Sequence, residues 1–291
     1  MEVITLRSKK EMMDLGMNFA LNCEKIRLFT LEGSRTNINI PKDEFQDYDF
    51  SYFVTDMDDF KKSDDWLSYF GERIIMQKPE AMELYPPELG NWYSYLMIFE
   101  DGTKIDLTLI PLNEYEDYFK NSDGLVEVLL DKDNLIQNSV IPTDRLYHIH
   151  KPSEQSFDDC CNEFWMTSTY VVKGLARREI LFAIDIMNHA FRPSLHTMLR
   201  WKVGVETGFS VSIGKSDKFL KEYISEEMWN NILSTYDMGS YQKMWEALNT
   251  SIELFRETSH FIAKTFNYKY PDYDEKVSMY IESIRKKYTQ F

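Results

Sequence analysis

No apolar run in this 291-residue chain reaches the ~18 residues that a membrane-spanning helix needs. The N-terminal stretch MEVITLRSKKEMMD also lacks the apolar core of a signal peptide. Cysteine is scarce: Cys23 and the adjacent pair Cys160 and Cys161 are the whole complement, and no Cys-x-x-Cys occurs. Neighbouring cysteines rarely bridge each other, so a disulfide framework and a zinc ribbon are both excluded, and a reducing cytoplasm is expected. His148 and His150 could share a metal on a strand, but no further ligand lies near them in sequence. Positive charge is also short, with 33 Lys and Arg against 48 Asp and Glu, a net charge of −15. That balance repels nucleic acid and anionic membranes and attracts polycations. On charge alone the chain is either an ordinary soluble acidic protein or one that steers a cationic substrate.

Hydrophobic residues make up 43% of the chain, enough for a sizeable core and against disorder. The length suits one large or two medium domains. Ser8 and Glu11 form a capping-box pattern ahead of a helix over 8–23 with Met12, Leu15 and Phe19 on one face. Strands are expected over 26–31, 48–54, 73–78, 92–100, 104–111 and 124–130. Asp101-Gly102 turns the hairpin between the fourth and fifth. Acid-rich 56–70 is read as a helix, its carboxylates serving as caps and a solvated face. A short helix is expected over 113–121, and 79–91, with three prolines, as a loop. Periodicity fades over 131–152, which is read as the passage between domains. Helical spacing then governs 156–176, 178–190, 192–206, 216–222, 225–236, 239–266 and 272–288. Trp165, Trp201, Trp229 and Trp245 fall in these segments and are read as core. The expectation is an α+β domain (1–150), a mixed β-sheet flanked by helices, followed by an α-helical bundle (151–291).

The chemistry concentrates in Leu28–Val54. A strand runs into the turn Gly33-Ser34, a polar loop follows, and a second strand opens on Asp47-Tyr48-Asp49. Alternate strand residues share a face, so Asp47, Asp49 and Ser51 point one way and Tyr48, Phe50 and Tyr52 the other. Paired carboxylates repel and resist burial unless a cation lies between them. A Gly-Ser turn offers N–H groups and a hydroxyl with no Cβ in the way, which suits a phosphate. In 104–111, Ile105, Leu107 and Leu109 face one way, and Lys104, Asp106 and Thr108 the other. An Asp inside such a strand either faces water at an edge or joins the Asp47/Asp49 pair.

Gly-Ser, a spacer over 35–46, then Asp-x-Asp resembles the signature of the polymerase-beta-like nucleotidyltransferase superfamily. The runs GSRTN…FQDYDFSYFVTD, PPELGNW, KIDLTLIP and DDCCNEFW…YVVKGLARRE narrow the resemblance to the aminoglycoside 6-adenylyltransferases, which modify streptomycin. It spans roughly residues 8 to 275. The resemblance implies AMP transfer from ATP to a hydroxyl of a cationic aminoglycoside, with release of pyrophosphate. It implies a two-magnesium mechanism, with the Mg2+ ions held by Asp47, Asp49 and Asp106, an oxygen donor set suited to that ion. Gly33 and Ser34 would bind phosphates. Arg35 would join them or pair with a nearby acid. Lys173 and Arg177, four apart on one helix, would grip the triphosphate, or else form a solvated face or pair with Asp158, Asp159 or Glu163. Asp106 or Glu88 would be the acceptor base. Glu88, Trp92, Asp158, Asp159 and Glu163 are the candidate drug contacts, with Trp92 and Tyr95 open between stacking on a ligand and packing in a sheet. The alternatives are another aminoglycoside, a lincosamide, or a nucleotide-binding regulatory module without catalysis. Oligomeric state stays open.

Overall fold

The computed structural model describes residues 6–288 and divides after Leu146 into two compact units. The first carries a six-stranded sheet. Its strands are β1 (Ile26–Glu32), β2 (Tyr48–Val54), β3 (Arg73–Gln77), β4 (Tyr93–Phe99), β5 (Lys104–Pro111) and β6 (Val126–Asp131). They lie in the order β3-β4-β5-β2-β1-β6. β2 and β5 run parallel and all other neighbours antiparallel, so the sheet is mixed. The two strands with the motif carboxylates are therefore adjacent at its centre.

Alternation explains both faces. Tyr48, Phe50 and Tyr52 of β2 and Ile105, Leu107 and Leu109 of β5 are buried in one cluster. Helix α1 (Lys9–Asn22) covers this face, and its capping box is formed as the sequence predicts. Gly16 lets it come close: a Cβ there would lie 2.9 Å from the Phe50 ring. The other face is apolar only at one end. Leu28, Phe53, Ile110 and Val126 pack there with Tyr118 from α3 (Tyr115–Asn121). The rest of that face carries the carboxylates.

The segment 56–70 is not one helix. It forms α2 (Met57–Lys61) and then a 3-10 turn over Asp65–Phe70. Trp66 Nε1 donates to the Phe60 carbonyl at 3.0 Å and Lys78 holds Asp64 at 2.7 Å. Burial of Phe60, Leu67 and Phe70 outweighs continuous helical bonding. The acidic residues are paired or exposed, as a solvated face requires: Lys25 bridges Asp56 and Asp59.

The second unit is helical: α4 (Glu154–Ala176), α5 (Ile180–Ile186), α6 (Arg192–Thr207), α7 (Glu226–Ser234), α8 (Tyr241–Phe266) and α9 (Asp274–Tyr288). Phe164 and Phe255 stack at 3.7 Å in its core, and Trp165 and Trp245 are buried. Trp201 packs against that core and Trp229 is half-buried. Two expectations needed correction here. α5 does not stop before Pro193; it passes through a π turn (Met187–Phe191) into α6, whose first turn holds the proline. Proline lacks the N–H that a continuing helix would bond, and the bonding pattern changes from α to π just ahead of it. The segment 216–222 forms short 3-10 turns, with Ser216 and Asp217 at φ +56° and +59°. Asp217 is held there by His196 Nδ1 at 2.6 Å and Arg200 Nε at 2.5 Å. Among the described residues no helix is long and apolar enough to cross a membrane.

Candidate active site

Three carboxylates form one row across the sheet. Glu32 ends β1 and pairs with Asp49 of β2, which pairs with Asp106 of β5. Asp47 precedes β2 on the same side, and Lys104 opens β5 two residues before Asp106. Lys104 Nζ lies 2.6 Å from Asp47 Oδ2 and 2.8 Å from Asp106 Oδ2. The strands thus bring Asp47, Asp49 and Asp106 together.

Gly33 opens a short 3-10 turn directly after β1, at φ +67°. A Cβ there would lie 2.6 Å from Asp49 Oδ2. Only glycine combines this backbone with that approach. Its N–H donates to the Leu125 carbonyl at 2.9 Å, so Gly33 supports the site by proximity rather than by offering that N–H to a phosphate. Lys42 Nζ fixes the loop from outside, donating to the carbonyls of Ser34, Arg35 and Asn37 at 2.8, 3.0 and 2.6 Å. Arg35 is held by backbone carbonyls and a ring rather than by a nearby acid. Its guanidinium donates to the carbonyls of Gln46 and Asp47 and lies 3.6 Å over the Tyr48 ring. It ties the Gly-Ser turn to the start of β2, closing the twelve-residue spacer. A groove of about 840 Å3 runs beside this loop, lined in part by Lys9, Arg35, Lys42 and Asp131. None of the three aspartates lines it.

The electrostatics are those of a site short of positive charge. Burial pushes the Asp49 carboxyl up to about 7, helped by Asp106, Glu32 and Asp47. Burial also raises Asp106, against the pull of Lys104. Asp106 Oδ1 is buried with no hydrogen-bond partner among the described residues. Glu32 is raised by burial although Thr30 and Tyr118 hydroxyls donate to its Oε1 at 2.6 and 2.5 Å.

Residues of this kind fit a divalent cation. The donors are hard oxygens, they crowd like charges, and one buried oxygen lacks a partner. As the side chains stand, among the described residues no group of three or more His, Cys, Asp or Glu is set to hold a metal ion. Lys104 sits between two of the three candidates, its ammonium against one oxygen of Asp47 and one of Asp106.

The remaining candidates are placed as follows. Glu88 is exposed in its loop. Trp92 donates to Glu114 at 2.7 Å and lies 5.8 Å from the Tyr118 ring, so it is engaged in packing. Tyr95 is buried in the α1-side core beside Trp66 and does not face a ligand. Asp158, Asp159 and Glu163 are exposed in the first half of α4, and Lys173 and Arg177 are exposed at its other end. Fifteen residues of helix separate Asp158 from Lys173, about 22 Å, so those ends do not pair. Lys173 instead lies 5.4 Å over the Tyr170 ring.

Glu32, Lys42 and Lys104 were not singled out from sequence. Glu32 reads as the polar end of an apolar strand. Only strand register sets it beside Asp49. Lys104 shares the Asp106 face by alternation, and that signal was available.

A family model described as streptomycin adenylyltransferase matches residues 6–284. An aminoglycoside 6-adenylyltransferase of Bacillus subtilis (strain 168) is 60% identical over 279 residues, 96% of this chain and 98% of that one. Its namesake in Campylobacter jejuni is 54% identical over 97% of this chain and 98% of its own length. The one in Staphylococcus aureus is 46% identical over 96% and 99%. With the motif row, the sheet that carries it and a match along nearly the whole chain, this protein belongs to the streptomycin adenylyltransferase family, whose named members are aminoglycoside 6-adenylyltransferases.

Proposed function

We propose that this chain transfers AMP from ATP to the 6-hydroxyl of streptomycin and releases pyrophosphate. The observation that carries the reading is the adjacency of Asp47, Asp49 and Asp106 beside the Gly33 turn. Asp47, Asp49 and Asp106 would hold Mg2+. When bound, it supplies charge neutralisation to the triphosphate and to the departing pyrophosphate. The acceptor oxygen bonds to the α-phosphorus as the bond from that phosphorus to the β-bridging oxygen breaks. Asp106 or Glu88 takes the hydroxyl proton, and the pyrophosphate oxygen keeps the electron pair. Ser34 orients the phosphates, on a loop fixed by Lys42 and Arg35. On the helical unit Lys173 and Arg177 are the proposed triphosphate ligands. The exposed acids Glu88, Asp158, Asp159 and Glu163 are proposed to meet the drug's guanidinium groups, and Trp92 to support that loop.

The test is mass spectrometry of streptomycin after incubation with protein, ATP and magnesium. The expected product is the drug plus one adenylyl group, with one pyrophosphate released per transfer. A panel with other aminoglycosides and a lincosamide runs alongside. Label on another drug alone would move the acceptor. Label on none of them, with ATP still bound, would overturn the reading in favour of a non-catalytic nucleotide-binding protein.

A further inference from the structure

Lys104 is the feature that the proposed reaction does not yet use. Its Nζ bonds to one oxygen of Asp47 and one of Asp106, the two carboxylates that flank Asp49. The side chain is about one-third exposed, with relative accessibility of 31%, so it has somewhere to go. A lysine ammonium is a compact point charge on a flexible four-carbon stem, suited to moving between anionic partners. A divalent cation bound to these same oxygens would replace the ammonium in its present place: both need the oxygens at contact distance, and they repel each other.

We infer that Lys104 is a built-in counter-cation that holds Asp47 and Asp106 in place before nucleotide arrives, and leaves them for the polyphosphate when a divalent cation takes over. The inference rests on the three-carboxylate metal site proposed above. It makes metal loading depend on nucleotide. Without ATP, the cation must push the ammonium off Asp47 and Asp106. With ATP, the triphosphate provides a further anion, so Lys104 changes partner instead of losing one. The pair of ion pairs is thus a device for ordered loading: metal enters strongly only with the substrate that it serves. Lys104 acts through the carboxylates and the phosphates, as a positioning residue.

The experiment is Mn2+ binding, by calorimetry and by paramagnetic resonance of free Mn2+, to the full chain with and without a non-hydrolysable ATP analogue. Wild type, Lys104→Met and Lys104→Arg are compared, and Lys104→Gln serves if Lys104→Met does not fold. The expected result is that either charge-removing variant binds Mn2+ about tenfold more tightly than wild type without nucleotide. Lys104→Arg keeps the charge and stays near wild type. The gap between nucleotide-free and nucleotide-bound affinity should shrink in the charge-removing variants. Unchanged nucleotide-free affinity in those variants, with Mn2+ still bound in the presence of the analogue, would overturn the role of Lys104 and leave the metal site standing. Absence of Mn2+ binding in every protein, with or without the analogue, would overturn the metal site itself, and the role of Lys104 with it.

Discussion

Asp49 sits where four charged groups converge. Its carboxyl is lifted from 3.8 to about 7 because burial and three other carboxylates oppose its charge. A folded-state value above the unfolded one favours the protonated folded form. The stability so gained is fully present below about pH 4 and is lost as pH rises toward 7. An asparagine amide in its place cannot ionise and escapes that loss. Asp49→Asn should therefore match wild type near pH 4 and melt at a higher temperature near pH 8 in EDTA. Each unit of relieved shift is worth about 1.4 kcal/mol, or about 2–4 °C in a chain of this size. The same change should lower adenylyl transfer by at least ~10³, since it removes one proposed ligand of the Mg2+ whose charge would stabilise the transition state. Calorimetric melts at both pH values and a pyrophosphate-release assay check the two halves. A variant that lost both stability and activity would place Asp49 in a purely structural role. The shared face of Asp47 and Asp49 was legible from sequence because alternation along a strand is a local rule, and the family resemblance added Asp106. Glu32 was not, because its place beside Asp49 depends on how two strands slide past each other, and no local pattern records that.

At the scale of elements, the turn after β1 is the tightest constraint. Gly33 stands at φ +67° with room for no side-chain atom on the Asp49 side. Gly33→Ala must either push Asp49 out of its row or strain the backbone, at a cost of about 1–3 kcal/mol. The expected outcome is a protein that folds with a lower melting temperature and has lost most of its turnover. Full activity would mean that the row tolerates displacement. In the helical unit, the loop after α6 shows why a periodic segment need not be a helix. Residues 216–222 carry helix-like spacing, yet Asp217 is buried and bonded to His196 and Arg200. Charge-assisted bonds of this kind are worth about 1.5–3 kcal/mol, more than the marginal preference of seven residues for a helix. These partners hold the Asp217 carboxyl below its usual range, against burial, which opposes them as the largest single effect. The stability is therefore present above the unfolded carboxylate range and lost as pH falls through the folded value. Asp217→Asn should cost about 1.5–3 kcal/mol in urea melts at pH 7, with the gap from wild type closing on acidification toward pH 3. A gap that stayed constant with pH would mean that packing, not charge, fixes this loop.

Across the whole molecule the surplus of acid matters beyond the site. A net charge of −15 produces an attractive field for a polycation and a repulsive one for ATP. Lys9, Arg35 and Lys42 line one groove beside the Gly-Ser loop, together with Glu127 and Asp131. Such fields act at range and are cut off by salt, since the screening length shrinks from about 10 Å at 0.1 M to about 3 Å at 1 M. Chemistry within the row operates over hydrogen-bond distances and is screened far less. Raising salt should therefore lower kcat/KM for a cationic drug, by about tenfold between 0.05 and 0.5 M, while kcat changes less than about twofold. The KM for ATP should hold steady or fall, because screening removes repulsion. Steady-state kinetics across a salt series, with each substrate varied in turn, separates the two effects. If drug and ATP parameters moved together, the surface charge would be serving solubility alone, and recognition of the drug would rest entirely on close contacts.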